Sequence, residues 1–128
     1  MRIILDCNVL VSAVLTKGAC REVLARVLRE HELVYTASIM EEYLEVFQRQ
    51  KFQAQHKHFF NLAQVLGKVG DFVEEKSSIA GLPDPDDEKY LQADTPVQML
   101  VTGNQKHFPE KSYGNMKVVS PREFLEMF

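Results

Sequence analysis

The chain has 128 residues, 45% hydrophobic and 26% charged, and its 15 basic and 18 acidic side chains give a formal net charge of −3. That length suits one domain with a real core, so a single domain over residues 1–128 is expected. The charge argues against coating nucleic acid by bulk attraction, though not against a basic rim around an acidic site, and the longest apolar runs are far too short to span a membrane.

Met1 is not followed by a basic region and a long apolar core, so the expected compartment is the cytoplasm. Cys7 and Cys20 have no close-pair or metal-ligand spacing and read as reduced thiols.

Ile3-Ile4-Leu5, after Arg2, is a continuous apolar run at a terminus, which predicts a strand buried on both faces. Asp6 stands where the run ends. In an open parallel sheet, ligands bind beyond the carboxyl ends of the strands. The plainer alternative is that Asp6 caps a helix starting near Asn8. A short helix over 9–15 is broken at Lys17-Gly18. A second helix over 19–31 carries Val23, Leu24, Val27 and Leu28 on one face. Leu33 to Ala37 is the next strand, and strand–helix–strand order predicts a parallel pair.

Ser38-Ile39-Met40-Glu41 has the pattern of a capping box, which predicts a helix from Ser38 to about Arg49. Ile39, Met40, Tyr43, Leu44, Val46 and Phe47 form its apolar side. At about 100° per residue, Glu45 falls opposite that arc and Glu42 at its edge, so Glu42 is the acid able to reach a cleft. A helix over 52–66 has Phe59, Phe60, Ala63 and Leu66 inward. His56 and His58 are two apart and do not face each other, so they read as a solvated face. Residues 71–74 predict a short strand, and 77–83 a loop.

Leu82-Pro83-Asp84-Pro85-Asp86-Asp87 is the second acidic element. Pro85 suits a first helical turn and Asp84 the N-cap before it. Acids in a first turn are favoured by the helix dipole, yet three aspartates so close repel unless a cation sits among them. Asp87 lies three and four residues before Tyr90 and Leu91 and shares their inward face. Asp86 lies four before Tyr90, and Asp84 is at the rim. The helix ends by Asp94-Thr95-Pro96. Val97 to Thr102 is a strand that turns at Gly103-Asn104, and Lys117 to Val119 is the last. Ser120-Pro121-Arg122-Glu123 is a second capping box, docking a terminal helix through Phe124, Leu125 and Phe128.

Together these elements predict an α/β fold: a three-layer α/β/α sandwich around a mostly parallel sheet of four to five strands. Carboxylates lie after strand one (Asp6), on a helix edge (Glu42) and in a helix first turn (Asp86, Asp87). Such hard oxygen ligands suit Mg²⁺ or Mn²⁺, and no Cys/His set suits zinc.

The arrangement resembles the PIN-domain nucleases, particularly the branch of toxins of toxin–antitoxin pairs. The matching segments are Ile4 to Ser12, Ser38 to Leu44, Asp84 to Leu91, Leu100 to Asn104 with His107-Phe108-Pro109, and Val119 to Leu125, in family order over almost the whole chain. The resemblance implies a PIN-like fold and a Mg²⁺- or Mn²⁺-dependent endoribonuclease similar to VapC-type toxins, often dimeric and held inactive by an antitoxin. On it, Asp6, Glu42 and Asp87 look like the metal-binding acids, with Asp86 or Asp84 as support. Asn8, Ser12 and Thr102 occupy supporting positions. Many family members have an acid where this chain has Asn104, a catalytic position that here brings no charge. Cys7 stands where a small hydroxyl residue is common, and the helix before the fourth strand looks clipped.

The reaction expected is metal-assisted hydrolysis of RNA, with Lys106 or His107 assisting the leaving oxygen or the substrate and Lys17, Arg21, Lys51 and Lys57 lining a groove. Two rival readings stay open. One is a degenerate PIN-like fold that binds RNA or a protein without cutting, which Asn104 favours. The other is a phospho-receiver domain, but Tyr35-Thr36-Ala37 ends the second strand without the aspartate such a domain needs.

Overall fold

A computed structural model describes residues 1–76 and 81–128 of the chain; of the loop expected at 77–83, residues 77–80 lie outside the described residues. Six strands form one sheet: β1 (Arg2–Leu5), β2 (Glu32–Tyr35), β3 (Asp71–Phe72), β4 (Met99–Val101), β5 (Ser112–Tyr113) and β6 (Met116–Val119). Their order is β3-β2-β1-β4-β6-β5. All neighbouring pairs are parallel except β5 with β6. The expectation of four to five strands misses β5, which has two residues and pairs through a tight hairpin at Gly114, where φ is 59°. So short a run carries no periodicity to read.

Consecutive residues of the central strands are sealed on both faces. Ile3, Ile4 and Leu5 are fully buried, as are Val34, Leu100 and Val101. That is the signature of a parallel sheet covered on two sides, giving three layers. The covering helices are α1 (Cys7–Leu15), α2 (Ala19–Glu30), α3 (Ala37–Phe47), α4 (His56–Val69) and α5 (Pro121–Met127). α2 packs on α1 and α5, and α3 packs on α4. The buried side chains form one core cluster, with Tyr43, Tyr90, Phe59 and Phe124 its largest members. Among the described residues, no helix is long and apolar enough to cross a membrane.

Four local expectations need correction. α3 starts before the expected box: Thr36 is its N-cap, accepting a 3.3 Å bond from the Ile39 amide. The Ser38 amide is satisfied instead by Glu75 Oε1 at 2.7 Å, so the Ser38–Glu41 box does not form and Glu41 is a solvated charge. A partner distant in sequence has replaced a local cap. Second, residues 50–55 form a separate 3₁₀ turn before α4, with Phe52 at a kink. Third, Phe60 and Leu44, expected inward, are 63% and 38% exposed. Fourth, Pro85–Leu91 is a 3₁₀ helix rather than an α-helix. With three residues per turn, positions i and i+3 eclipse. Asp87 therefore stays aligned with buried Tyr90, while Asp86, four before it, rotates out and is exposed. The C-terminal box forms as expected: Ser120 Oγ accepts from the Glu123 amide at 3.0 Å, and Glu123 Oε1 accepts from the Ser120 amide at 2.9 Å.

Candidate active site

The strand order reverses at β1. From there the chain adds β2 and β3 on one side and, later, β4 and β6 on the other. A crevice opens beyond the carboxyl ends of β1 and β4, where ligands bind in sheets of this kind. Asp6 leaves β1 at that point, its amide donating to the Val101 carbonyl at 2.9 Å. It occupies the N-cap position of α1, but its side chain makes no capping bond. Instead Oδ2 accepts from the buried Thr102 hydroxyl at 2.8 Å, with Asn8 Nδ2 at 3.4 Å. The capping alternative thus fails for the carboxylate, which is engaged instead by Thr102, the residue after β4. Asp6 is 6% exposed. Burial, opposed by the Thr102 bond and reinforced by repulsion from Asp87 and Glu42, pushes its carboxyl up to about 6.

Neighbours of Asp6 tie α1 to the turn after β4. Asn8 Oδ1 accepts from the Gly103 amide at 3.0 Å. A Cβ on residue 103 would come within 3.3 Å of that oxygen, so glycine permits the approach. Thr102 Oγ1 also accepts from the Asn104 amide at 3.0 Å. Ser12 lies on the α1 wall of the cleft, its hydroxyl 3.3 Å from Thr16 Oγ1. Cys7 is buried, and burial first, then Glu42 and Asp6, push its thiol up to about 12. A thiol so shifted is no nucleophile at neutral pH.

Glu42 reaches in from α3, as its place at the edge of the apolar arc predicts. Oε1 accepts from the Tyr90 hydroxyl at 2.7 Å, and Oε2 lies 3.3 Å from Lys89 Nζ. The Tyr90 oxygen in turn accepts from the Cys7 amide at 3.1 Å. Tyr43, one residue on, donates from the floor to the Leu5 carbonyl. Lys89 and the Tyr90 hydroxyl are parts of the site that sequence reasoning missed. A buried tyrosine usually finds a partner for its hydroxyl, which was the available signal.

The 3₁₀ helix brings the remaining acids. Asp84 caps it, accepting from the Asp86 amide at 3.0 Å. Asp87 points inward; burial, opposed by His107, raises its carboxyl above the ordinary value. His107 Nδ1 lies 2.7 Å from Asp87 Oδ2. The two side chains form an ion pair in which His107 holds the Asp87 carboxyl down against burial. His107 Nε2 is 3.0 Å from Asn104 Nδ2. Asn104 thus addresses His107, not the carboxylates.

A cleft of about 560 Å³ is lined by Asp6, Glu42, Asp84 and Asp86, with Arg49 and Lys51 on its wall. Among the described residues, one group of metal-ligating side chains has its ligand atoms all within 4.8 Å of one another: Asp84, Asp87 and His107. Asp6 and Glu42 lie outside that group, yet Glu42 repels the carboxylates of both Asp6 and Asp87, and Asp86 faces the cleft from an exposed position. The proposed groove residues disperse. Arg21 is used on the Ala13 and Val14 carbonyls, at 2.9 and 3.1 Å, closing the end of α1. Lys17 and Lys57 are exposed away from the cleft lining, Lys106 is exposed beside His107, and Lys51 alone of the four lines the cleft. Arg49, not singled out from sequence, joins it and pairs with Glu45 at 2.9 Å.

Mutually repelling carboxylates and a lysine held among acids are the features of a site that accommodates a cation. The donors, carboxylate oxygens with one imidazole, fit a divalent metal ion. The family model for the PIN domain matches residues 2–106, far more than half of the chain. No curated protein matches it.

Proposed function

The chain belongs to the PIN-domain family, whose members are generally metal-dependent nucleases, and on that premise we propose that it is a Mg²⁺- or Mn²⁺-dependent endoribonuclease, the toxin of a type II toxin–antitoxin pair. The observation that carries the reading is the buried Asp6 carboxylate at the end of β1, pushed up by burial and by repulsion from Asp87 and Glu42. Asp6, Glu42 and Asp87 would hold the cation, with Asp86 and Asp84 at the rim. Bound there, a divalent ion lowers the pKa of a water and offsets charge on the phosphate under attack. Thr102 and Asn8 fix the rotamer of Asp6, while Tyr90 and Lys89 fix Glu42. Lys51, Arg49 and Lys106 supply salt-dependent contacts to backbone phosphates.

The test is cleavage of several RNAs with Mg²⁺ or Mn²⁺ by the wild type and by Asp6→Asn purified in parallel. Cleavage by the wild type alone, abolished by EDTA, is expected; equal activity in both preparations would overturn the reading. One observation favours a second reading, an RNA- or protein-binding domain that does not cut: Asn104 brings no charge and is occupied with His107. Inactivity of the wild type on every RNA, with RNA binding retained, would select it.

A homodimer is part of the proposal. Its support is the exposed pair Leu44 and Phe60, which flank an apolar groove between α3 and α4 of about 220 Å³. Light scattering on the wild type and Phe60→Glu would show a dimer that the charge dissociates; a monomeric wild type would refute it. An antitoxin partner is proposed from the family resemblance, and is tested by whether a co-expressed neighbouring gene product abolishes cleavage.

A further inference from the structure

We infer that the cleft carries a nucleotide subsite beside its acids. One base of the bound strand lies against an apolar wall of Val11, Leu15 and Val46, and the phosphate beyond that base is met by Arg49 and Lys51. The subsite rests on the nuclease reading of this cleft, and adds where one nucleotide sits and which of its features are read.

α1 presents Asn8, Val11, Ser12 and Leu15 to the cleft, a spacing that is one helical face. α3 packs against α1 and lends Glu42 and, one turn on, Val46. Arg49 and Lys51 follow in the turn after α3, where Lys51 Nζ lies 5.2 Å from the ring centre of buried Phe52. From Asn8 to Leu15 a helix rises about 10 Å, so this wall extends well beyond Asp6. The whole cleft, about 560 Å³, has the size of a small-ligand site and far exceeds what an ion needs.

Charge and polarity are graded along that length. Acids stand at one end (Asp6, Glu42), apolar side chains in the middle, and cations at the other. A nucleotide with a phosphate on either side has the complementary order: the phosphate under attack at the acid end, then the base, then the next phosphate. Leu15 is 43% exposed, and Val11 and Val46 are half-buried, so apolar side chains from two helices share one wall inside a charged cleft. Single exposed apolar residues need no explanation, but a contiguous set rimmed by polar groups marks a binding surface. Arg49 pairs with Glu45 at 2.9 Å, an exposed contact weak enough for a phosphate to replace.

The wall offers a base area, not a hydrogen-bonding pattern. Thr16 Oγ1 donates to the Ser12 carbonyl at 2.8 Å and lies 3.3 Å from Ser12 Oγ, so the hydroxyls nearest the wall are turned on each other. Asn8 spends its side-chain carbonyl on the Gly103 amide. A base held in this way is read by its face and size. Purines are held better than pyrimidines, and the base edges go unread.

The probe is adenosine 3′,5′-bisphosphate, a base flanked by two phosphates with no phosphodiester bond to cut. It is added to the full chain with Mg²⁺ and followed by NMR of the methyl groups. Ring-current shifts are expected at the Val11, Leu15 and Val46 methyls. The same sugar bisphosphate without a base should give none of them and bind at least about fivefold more weakly. Leu15→Ser should weaken the nucleotide about threefold and leave the base-free compound unchanged, whereas Lys51→Ala should weaken both alike. The uridine compound should bind more weakly than the adenosine one. The 2′-deoxy compound should shift the same methyls, and its affinity beside the ribo form tells whether RNA or DNA supplies the nucleotide. Equal affinity with and without the base, shifts confined to other methyls, or no binding at all would overturn the subsite; RNA cleavage by the same protein would leave the nuclease reading standing. Base-dependent shifts at these methyls in a protein that cuts no RNA would support the subsite and reject the nuclease reading.

Discussion

Asp6 should destabilise the protein that it equips for metal. Its carboxyl is pushed from the ordinary 3.8 up to about 6, with burial the largest cause. The folded state therefore binds its proton more tightly than the unfolded chain. For such a group stability is full at low pH and falls as pH rises through the window between the two values. At about 1.4 kcal/mol per tenfold in proton affinity, ionised Asp6 costs the metal-free fold about 3 kcal/mol at pH 7 and above. Asp6→Asn removes that cost and keeps shape. Its amide oxygen can take the place of Oδ2, which accepts from Thr102 and Asn8. In EDTA, urea denaturation at pH 8 should find the variant more stable by about 2–3 kcal/mol, allowing for imperfect amide packing. At pH 5 the advantage should fall to about half. Saturating Mn²⁺ should raise the wild type and leave the variant little changed. An Asp6→Asn protein less stable than the wild type at pH 8, or an advantage independent of pH, would refute the argument that burial and the neighbouring acids strain this carboxylate.

Three further outcomes follow from the same contacts. Tyr90→Phe removes the hydroxyl that donates to Glu42 and accepts from the Cys7 amide, so stability should drop by about 1–3 kcal/mol by urea denaturation with little change in volume. Lys89→Met removes the cation facing Glu42, which keeps only its Tyr90 hydrogen bond; the expected loss is about 1 kcal/mol in EDTA, and it should shrink at saturating Mn²⁺, when a cation again faces the carboxylate. Ser120→Ala breaks a formed capping box remote from the cleft and should cost about 1 kcal/mol in thermal melts, leaving metal affinity as in the wild type.

The central strands were legible because burial on both faces leaves a continuous apolar run, and Ile3-Ile4-Leu5 running into Asp6 marks both the strand and its end. Glu42 was legible for a different reason. Its angle to the apolar arc does not depend on where the helix starts, so the mistaken cap at Ser38 did no harm. Asp87 survived a wrong helix type because three residues is close to one turn in both geometries; Asp86 did not, since four residues is a turn only in an α-helix. What stayed hidden is long-range. The Glu75 carboxylate on the Ser38 amide, Arg21 on the Ala13 carbonyl and Lys89 on Glu42 are partnerships between elements that periodicity within one element cannot reveal. His107 was visible as a cation near the site. Its position between Asp87 and Asn104 depends on the turn after β4 folding back over the 3₁₀ helix.

The nuclease reading requires a divalent metal ion in the acidic cleft at the end of β1. Its most direct test is a crystal of the full chain soaked in Mn²⁺, with anomalous differences collected near the manganese edge. A peak in the cleft among Asp6, Glu42 and Asp87, lost in Asp87→Asn crystals of the same form, is expected. A cleft without a peak at saturating Mn²⁺, or a peak held only by exposed side chains elsewhere, would contradict it.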